Sequence, residues 1–326
     1  MWELLPFAVP WMIRYAVNSA VLVASFALAA LYFYQKELIY PRYIPQDSRT
    51  HVLSPDEFQM KDFRDITLKT SDGVSLHAYH ISHPNSDYTV LFLHANAGNM
   101  GHRLPIAQAF YRKFSCNILM LSYRGYGKST GDPDESGMIV DADTALDYIK
   151  QDDILKKTRV VLYGQVYIQA SYFQSIGAAV AISLAARRES EIQALIIENT
   201  FLSLHKLVPR ILPAVGYILR IAPFFLYVHF PLLTSSFCSH QTWDSETRLS
   251  LVKHIPVCFL SGAKDELVPQ SHMRALFQAL QKSRLENGTS GACLQWSEFP
   301  KGGHNDTVMQ LEYFDRVDEF WKKHVC

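Results

Sequence analysis

From residue 89 onward the chain repeats one pattern: a short unbroken apolar run, then a longer stretch with helical spacing, then another run. The runs fall at 89–93, 116–121, 160–163, 194–197, 257–260 and 294–299. Continuous apolar strands are buried on both faces, and the amphipathic stretches between them supply crossover helices. The pattern therefore predicts an α/β protein with a mostly parallel sheet covered by helices on both sides. Ahead of it, segments 66–70 and 74–81 flank Ser71-Asp72-Gly73, a turn sequence that joins two strands as a hairpin. At 326 residues the chain can bury such a sheet in one large domain and still carry an appendage.

Three side chains of complementary chemistry stand just past strand ends, in the order Ser, Asp, His. A hydroxyl attacks a carbonyl carbon usefully when a base removes its proton, a carboxylate orients that base and backbone amides receive the oxyanion. Asp265 follows the 257–260 run in Leu260-Ser261-Gly262-Ala263-Lys264-Asp265, and His304 follows the last run in Gly302-Gly303-His304-Asn305-Asp306. Ser175 opens a small-residue helix, Ser175-Ile176-Gly177-Ala178-Ala179. Taken singly, each has a plain alternative: an N-cap serine, an acidic surface loop, a Gly-Gly-His turn. Their joint order and placement are what an α/β-hydrolase triad requires. Glu266 and Asp306, their neighbours, read as solvated carboxylates. The oxyanion donors are expected to be the amide of Ile176 and that of Asn96, in the loop His94-Ala95-Asn96-Ala97-Gly98-Asn99 after the 89–93 run. The loop 123–129, rich in Gly and Tyr, reads as a buttress.

The nucleophile is interrupted. Gly164-Gln165 closes the 160–163 run, and excising 166–174 would join Gly-Gln to Ser-Ile-Gly, the Gly-x-Ser-x-Gly strand-to-helix elbow. As written, Phe173 stands where the turn needs its first glycine. Back-translated, the insert begins with a GT-initial Val codon and can end on the AG of a Gln codon, with pyrimidine-rich codons for Tyr172 and Phe173 before it. It reads as a retained intron or shifted splice site kept in frame, against the alternative of a natural loop.

Residues 15–34 carry no charge and have tyrosines at both ends. Twenty helical residues span about 30 Å, the thickness of a hydrocarbon core, and terminal tyrosines suit the interfaces. A single-pass membrane anchor is expected over 1–34, with the lipid bilayer as partner and the endoplasmic reticulum or plasma membrane as location. The competing reading is a cleaved signal peptide with Arg14 before it. Arg14 is balanced by Lys36 and Arg42, so charge leaves the orientation open. The sequon Asn287-Gly288-Thr289 would be glycosylated only in a lumen-facing domain. Prolines 41, 45 and 55 suggest a linker over 35–60, followed by the catalytic domain 61–326. The apolar stretch 207–233 is broken by Arg210, Arg220 and four prolines, so it is not one regular span. It reads as a cap within 203–243, or as a core-packed connection.

Equal counts of 31 basic and 31 acidic residues give no field to attract a nucleic acid. Five scattered cysteines and histidines without ligand spacing imply neither a disulfide framework nor a metal, and no cofactor is expected.

The segments HANAGN, YRGYGKSTG, the split GQ and SIGAAVAI, IENTF at 197–201, WDS at 243–245, LSGAKDELVP and GGHND together resemble the α/β-hydrolase-13, or Bem46-like, family of membrane-anchored serine hydrolases. The likeness runs over most of 15–326, including Leu38-Ile39-Tyr40-Pro41 after the anchor. It implies the α/β-hydrolase fold with an N-terminal transmembrane helix and a Ser175, Asp265, His304 triad. Depalmitoylases among the relatives make acyl ester or thioester cleavage, on a small molecule, lipid or acylated protein, the leading expectation. The chain departs from the pattern at Ala95, where relatives usually carry glycine, and at the insert. Two other readings stay open: a non-catalytic membrane scaffold and a serine peptidase of the same fold.

Overall fold

The computed structural model describes residues 11–326 except 12, 17, 20–21, 24–25, 27–32, 35, 85, 166–175, 212–240 and 290–292. The chain divides into two units, Met1–Ile39 and Tyr40–Cys326. In the first, the described residues from 11 to 39 are helical, and those from 11 to 38 are exposed, Leu22, Val23, Phe26 and Phe33 among them. Among the described residues no helix is long and apolar enough to cross a membrane. Much of the expected span, including 27–32, lies outside them.

The second unit is built on an eight-stranded sheet in the order β1-β2-β4-β3-β5-β6-β7-β8. β1 (Phe63–Lys69) and β2 (Ser75–Ile81) form the expected antiparallel hairpin, turned at Gly73 with φ 86°. β2 also runs antiparallel to β4 (Asn117–Leu121). From there β3 (Tyr88–Leu93), β5 (Arg159–Gly164), β6 (Ala194–Glu198), β7 (Val257–Gly262) and β8 (Leu294–Phe299) pair in parallel. Each expected apolar run is a strand within a residue or two of its bounds: β3 to β7, apart from the exposed Arg159, are buried on both faces and read as near-continuous hydrophobicity, whereas β8 at the sheet edge is largely half-buried and carries Gln295, Ser297 and Glu298. The register aligns the carboxyl ends: Leu93 pairs with Gly164, Gly164 with Ile197, Glu198 with Leu260 and Gly262 with Phe299.

Alternate strand residues feed two layers. On one face Val90, Phe92, Met120, Val161, Tyr163 and Ile196 pack with Phe110 of α1 (Leu104–Phe114) and Phe320 of the C-terminal helix Tyr313–Phe320. On the other lies α3 (Ile176–Arg188), buried at every position from Ile176 to Ala185. It rests on β5 and β6 and is covered by α2 (Glu135–Gln151) and α5 (Ser245–Leu249). A helix covered on all sides needs no polar stripe, which explains its run of small apolar residues. A Cβ on Gly164 would come within 2.5 Å of Ala178 Cα and 2.9 Å of Ala181 Cβ, so strand and helix meet at a distance that admits no side chain.

Residues 40–53 belong to the second unit and are tied to the loop after β3. Gly98 N–H donates to Ile44 O (2.7 Å), and the Asn99 amide donates to Ser48 O and His51 O, both at 2.8 Å. The expected cap leaves between β6 and β7 through α4 (Leu204–Ile211) and returns at Gln241. Its two ends meet, Leu204 N–H donating to Thr242 O at 3.0 Å. Glu135 at the start of α2 clamps the return by accepting from Thr242 N (2.5 Å), Trp243 N (2.9 Å) and Arg248 Nη2 (2.5 Å). The body of this excursion, 212–240, lies outside the described residues.

Candidate active site

Asp265 sits three residues past β7, and its carboxylate is doubly oriented. Oδ1 accepts from Leu267 N–H (2.9 Å) and Val268 N–H (2.7 Å), which turns Oδ2 toward His304 Nδ1 at 2.6 Å. Both side chains are 1% exposed. An imidazole that donates from Nδ1 to a carboxylate keeps its lone pair on Nε2. Among the described residues His304 Nε2 has no hydrogen-bond partner although it is buried. A shielded basic nitrogen without a partner is suited to take a proton from a group placed opposite it. The structure thus brings together two of the three residues expected from the sequence, Asp265 and His304. Ser175, with the insert 166–174, lies outside the described residues.

The two ends of the elbow are described, and they converge. A Cβ on Gly177 would run into Leu93 O and lie 2.7 Å from both Gln165 O and His94 O. The first turn of α3 is therefore pressed against the ends of β3 and β5, as in an unbroken Gly-x-Ser-x-Gly turn, although 166–175 intervene where that motif has one residue. Ile176 is the first residue of α3 and is buried. Gln165 is buried too, and neither atom of its amide has a partner among the described residues.

Asn96 lies in the loop after β3, buried, its Oδ1 accepting from Tyr126 OH at 2.7 Å. The tyrosine comes from the loop 123–129, which does buttress this side. His94 starts the loop: Nδ1 donates to Ala95 O (2.6 Å) and Nε2 faces Tyr123 N–H at 3.4 Å. Burial lowers its pKa to about 3, so it holds the loop as a neutral ring. Arg103 Nη2 adds a bond to Ala97 O at 2.8 Å.

Two residues next to the site were given no role from the sequence, Glu198 and Asn199 at the end of β6. Asn199 has φ 38° and bridges the neighbouring strand ends through its side chain. Their only sequence signal was a shared motif, IENTF, which names no chemistry.

Glu198 is fully buried and its Oε2 accepts from Tyr163 OH (2.9 Å) and Tyr313 OH (2.7 Å). Burial pushes its carboxyl up to about 7 from the ordinary 4.5, against the pull of the two tyrosines. Between those values the unfolded chain has lost the proton that the native one retains, so stability falls as pH rises from about 4.5 to about 7. The fall attributable to this group is roughly 3 kcal/mol. Glu198→Gln is expected to remove that component. Denaturant unfolding at pH 5 and pH 8 measures it, and an unaltered pH dependence in the variant would assign the slope to another group.

No family model matches the chain. Among known proteins it is 41% identical over 311 residues to the protein bem46 of Schizosaccharomyces pombe, covering 94% of this chain and 92% of that one. It is 36% identical to the uncharacterized membrane protein YNL320W of Saccharomyces cerevisiae (93% and 94% covered). It is 34% identical to the alpha/beta hydrolase domain-containing protein WAV2 of Arabidopsis thaliana (94% and 90%). Among solved structures an esterase of Pyrococcus furiosus superposes with TM-score 0.64 at 20% identity, covering 85% of this chain and 96% of that one. An alpha-beta hydrolase of Vibrio vulnificus superposes with TM-score 0.58 at 19% identity (90% and 92%). The solved structures share the fold. The sequence relatives share nearly the whole length at more than a third identity, and with the sheet order above they carry the conclusion that the chain belongs to the Bem46-like family of α/β hydrolases.

Proposed function

We propose that the protein is a membrane-anchored serine hydrolase that cleaves an acyl ester or thioester, with protein depalmitoylation as one form of that chemistry. The observation that carries this reading is the buried Asp265–His304 pair at 2.6 Å, whose Nε2 is left without a partner among the described residues. In the proposed reaction His304 Nε2 takes the proton of Ser175 as its oxygen attacks the acyl carbon. The amides of Ile176 and Asn96 receive the oxyanion, and the imidazolium returns the proton to the departing alcohol or thiol. Water, deprotonated by the same nitrogen, then releases the acid and frees the serine. Asp265 holds the tautomer and offsets the imidazolium charge. No metal or cofactor takes part in these steps.

Fluorophosphonate labelling tests the reading, since the probe reports an activated serine whatever the substrate. Labelling lost in Ser175→Ala supports it; a chain that never labels favours the non-catalytic scaffold, to which the insert lends support. Acyl-chain against peptide turnover then separates an esterase from a peptidase.

The anchor is part of the proposal. Its support is the helical, exposed character of the described residues from 11 to 38, the absence of charge from 15 to 34, and a relative named as a membrane protein. Removal of residues 1–34 is expected to move the protein to the soluble fraction with its fold intact, because the second unit begins at Tyr40. Any adhesion left by the apolar 207–233 stretch should be weak. Carbonate-resistant membrane retention of the truncated chain would refute a single anchor.

A further inference from the structure

Asp265 and His304 stand on two separate loops, and a proton relay needs those loops held to a fraction of an ångström. Backbone contacts supply part of the hold: Ala263 N–H donates to Phe299 O (3.0 Å) and Lys264 N–H to Gly302 O (2.8 Å). The remainder converges on one side chain from a third strand. Asn199, first residue past β6, is buried, and its Oδ1 accepts from Gly262 N–H at the end of β7 (2.7 Å). Its Nδ2 donates to Thr307 Oγ1 (3.0 Å) and Gly303 O (3.3 Å), and lies 3.5 Å from His304 O. Thr307 Oγ1 passes the bond on to Gly303 O at 2.6 Å.

The orientation of this carboxamide is dictated by its partners, since an N–H on one side demands an acceptor and two carbonyls on the other demand a donor. Only an amide meets both needs at that length. The junction has no slack either: a Cβ on Gly262 would come within 2.6 Å of Gly302 O and 2.9 Å of Gly303 O. Asn199 reaches it from a left-handed backbone conformation that asparagine tolerates better than most residues.

The geometry points to Asn199 as a positioning residue that joins the Asp265 loop to the His304 loop and sets the Asp265–His304 hydrogen bond. This rests on the proposed catalytic role of that pair. Among the described residues Asn199 touches no reacting atom; it acts through the two strands it ties.

The test reads the hydrogen bond itself, so it does not depend on turnover. In the full-length protein the His304 Nδ1 proton, shared with a buried carboxylate, is expected as a low-field proton resonance, identified by its loss in Asp265→Asn. Asn199→Asp keeps the shape and the acceptor for Gly262 but sets an oxygen against Gly303 O. It is expected to lose or broaden the resonance while the amide spectrum remains that of a folded protein. Thr307→Val should weaken the resonance and Thr307→Ser should preserve it, because serine retains the hydroxyl. Where turnover is measurable, kcat per labelled serine should fall on the order of 10-fold or more in Asn199→Asp with KM little changed. An unaltered resonance in folded Asn199→Asp or in Thr307→Val overturns the positioning role. Absence of the resonance from the unaltered chain overturns the pairing of Asp265 with His304, and this inference with it. A resonance that responds as expected in a chain that never labels, with or without 166–174, sinks the hydrolase reading alone.

Discussion

Asp265→Asn and His304→Ala are each expected to lower acyl turnover by on the order of 10³-fold or more while leaving the domain folded. The direction follows from how the pair is held. Asp265 is fixed by two backbone amides and spends its other oxygen on His304 Nδ1, so an amide at that position can present its N–H there and favour the wrong tautomer. His304→Ala removes the proton acceptor altogether. Both residues stand past strand ends and outside the hydrophobic layers that hold the sheet, so the fold has little stake in them. Turnover of a soluble acyl ester, with circular dichroism as the check on folding, measures the effect. Near-parental turnover in either variant of the protein lacking 166–174 would remove that residue from the mechanism.

The second large effect concerns the insert. Deletion of 166–174 is expected to raise fluorophosphonate labelling and ester turnover by roughly 10²-fold or more, since a reacting atom misplaced by about 1 Å already costs that much. The structural argument is that the two flanks are still in elbow position. Gly177 abuts Gln165 O, Leu93 O and His94 O so closely that no methyl fits, and Gly164 is pressed on Ala178. One residue suffices to bridge ends so close, and in the deleted form that residue is Ser175. With the insert, Phe173 stands at the motif's first-glycine position in the sequence, and residues 166–174 separate Gln165 from the serine. Parallel labelling of both forms, with Ser175→Ala as control, decides the matter. Equal labelling would show that 166–174 is a tolerated loop and that Ser175 regains its geometry in spite of it. Sequencing the transcript across the junction tests separately whether the segment belongs to the mature message.

Hydrophobic patterning and residue order are enough to specify the sheet and the candidates for chemistry. Strands buried on both faces must be near-continuously apolar, so five of the six runs could be located from hydrophobicity alone, while the edge run 294–299 carries Gln295, Ser297 and Glu298 and shows the signal less clearly. Asp265 and His304 were legible because a residue placed just past a strand end is in the same layer as every other such residue once the strands run parallel. The composition was equally direct in offering no basic patch and no ligand spacing. Tertiary structure decided what depends on distances between strands. Nothing in the sequence says that Asn199 meets Gly262 and Thr307, because those bonds run between chain segments far apart, and an Asn after a strand is most often a turn residue. Glu198 looked like a charged strand end, yet the sheet buries it between Tyr163 and Tyr313, and burial is what changes its proton affinity. Residues 35–60 read as linker from their prolines, while within them the carbonyls of Ile44, Ser48 and His51 accept hydrogen bonds from the loop that carries Asn96. In each case the local pattern reports which backbone a residue prefers, and the partners that fix its chemistry are chosen only when the strands come together.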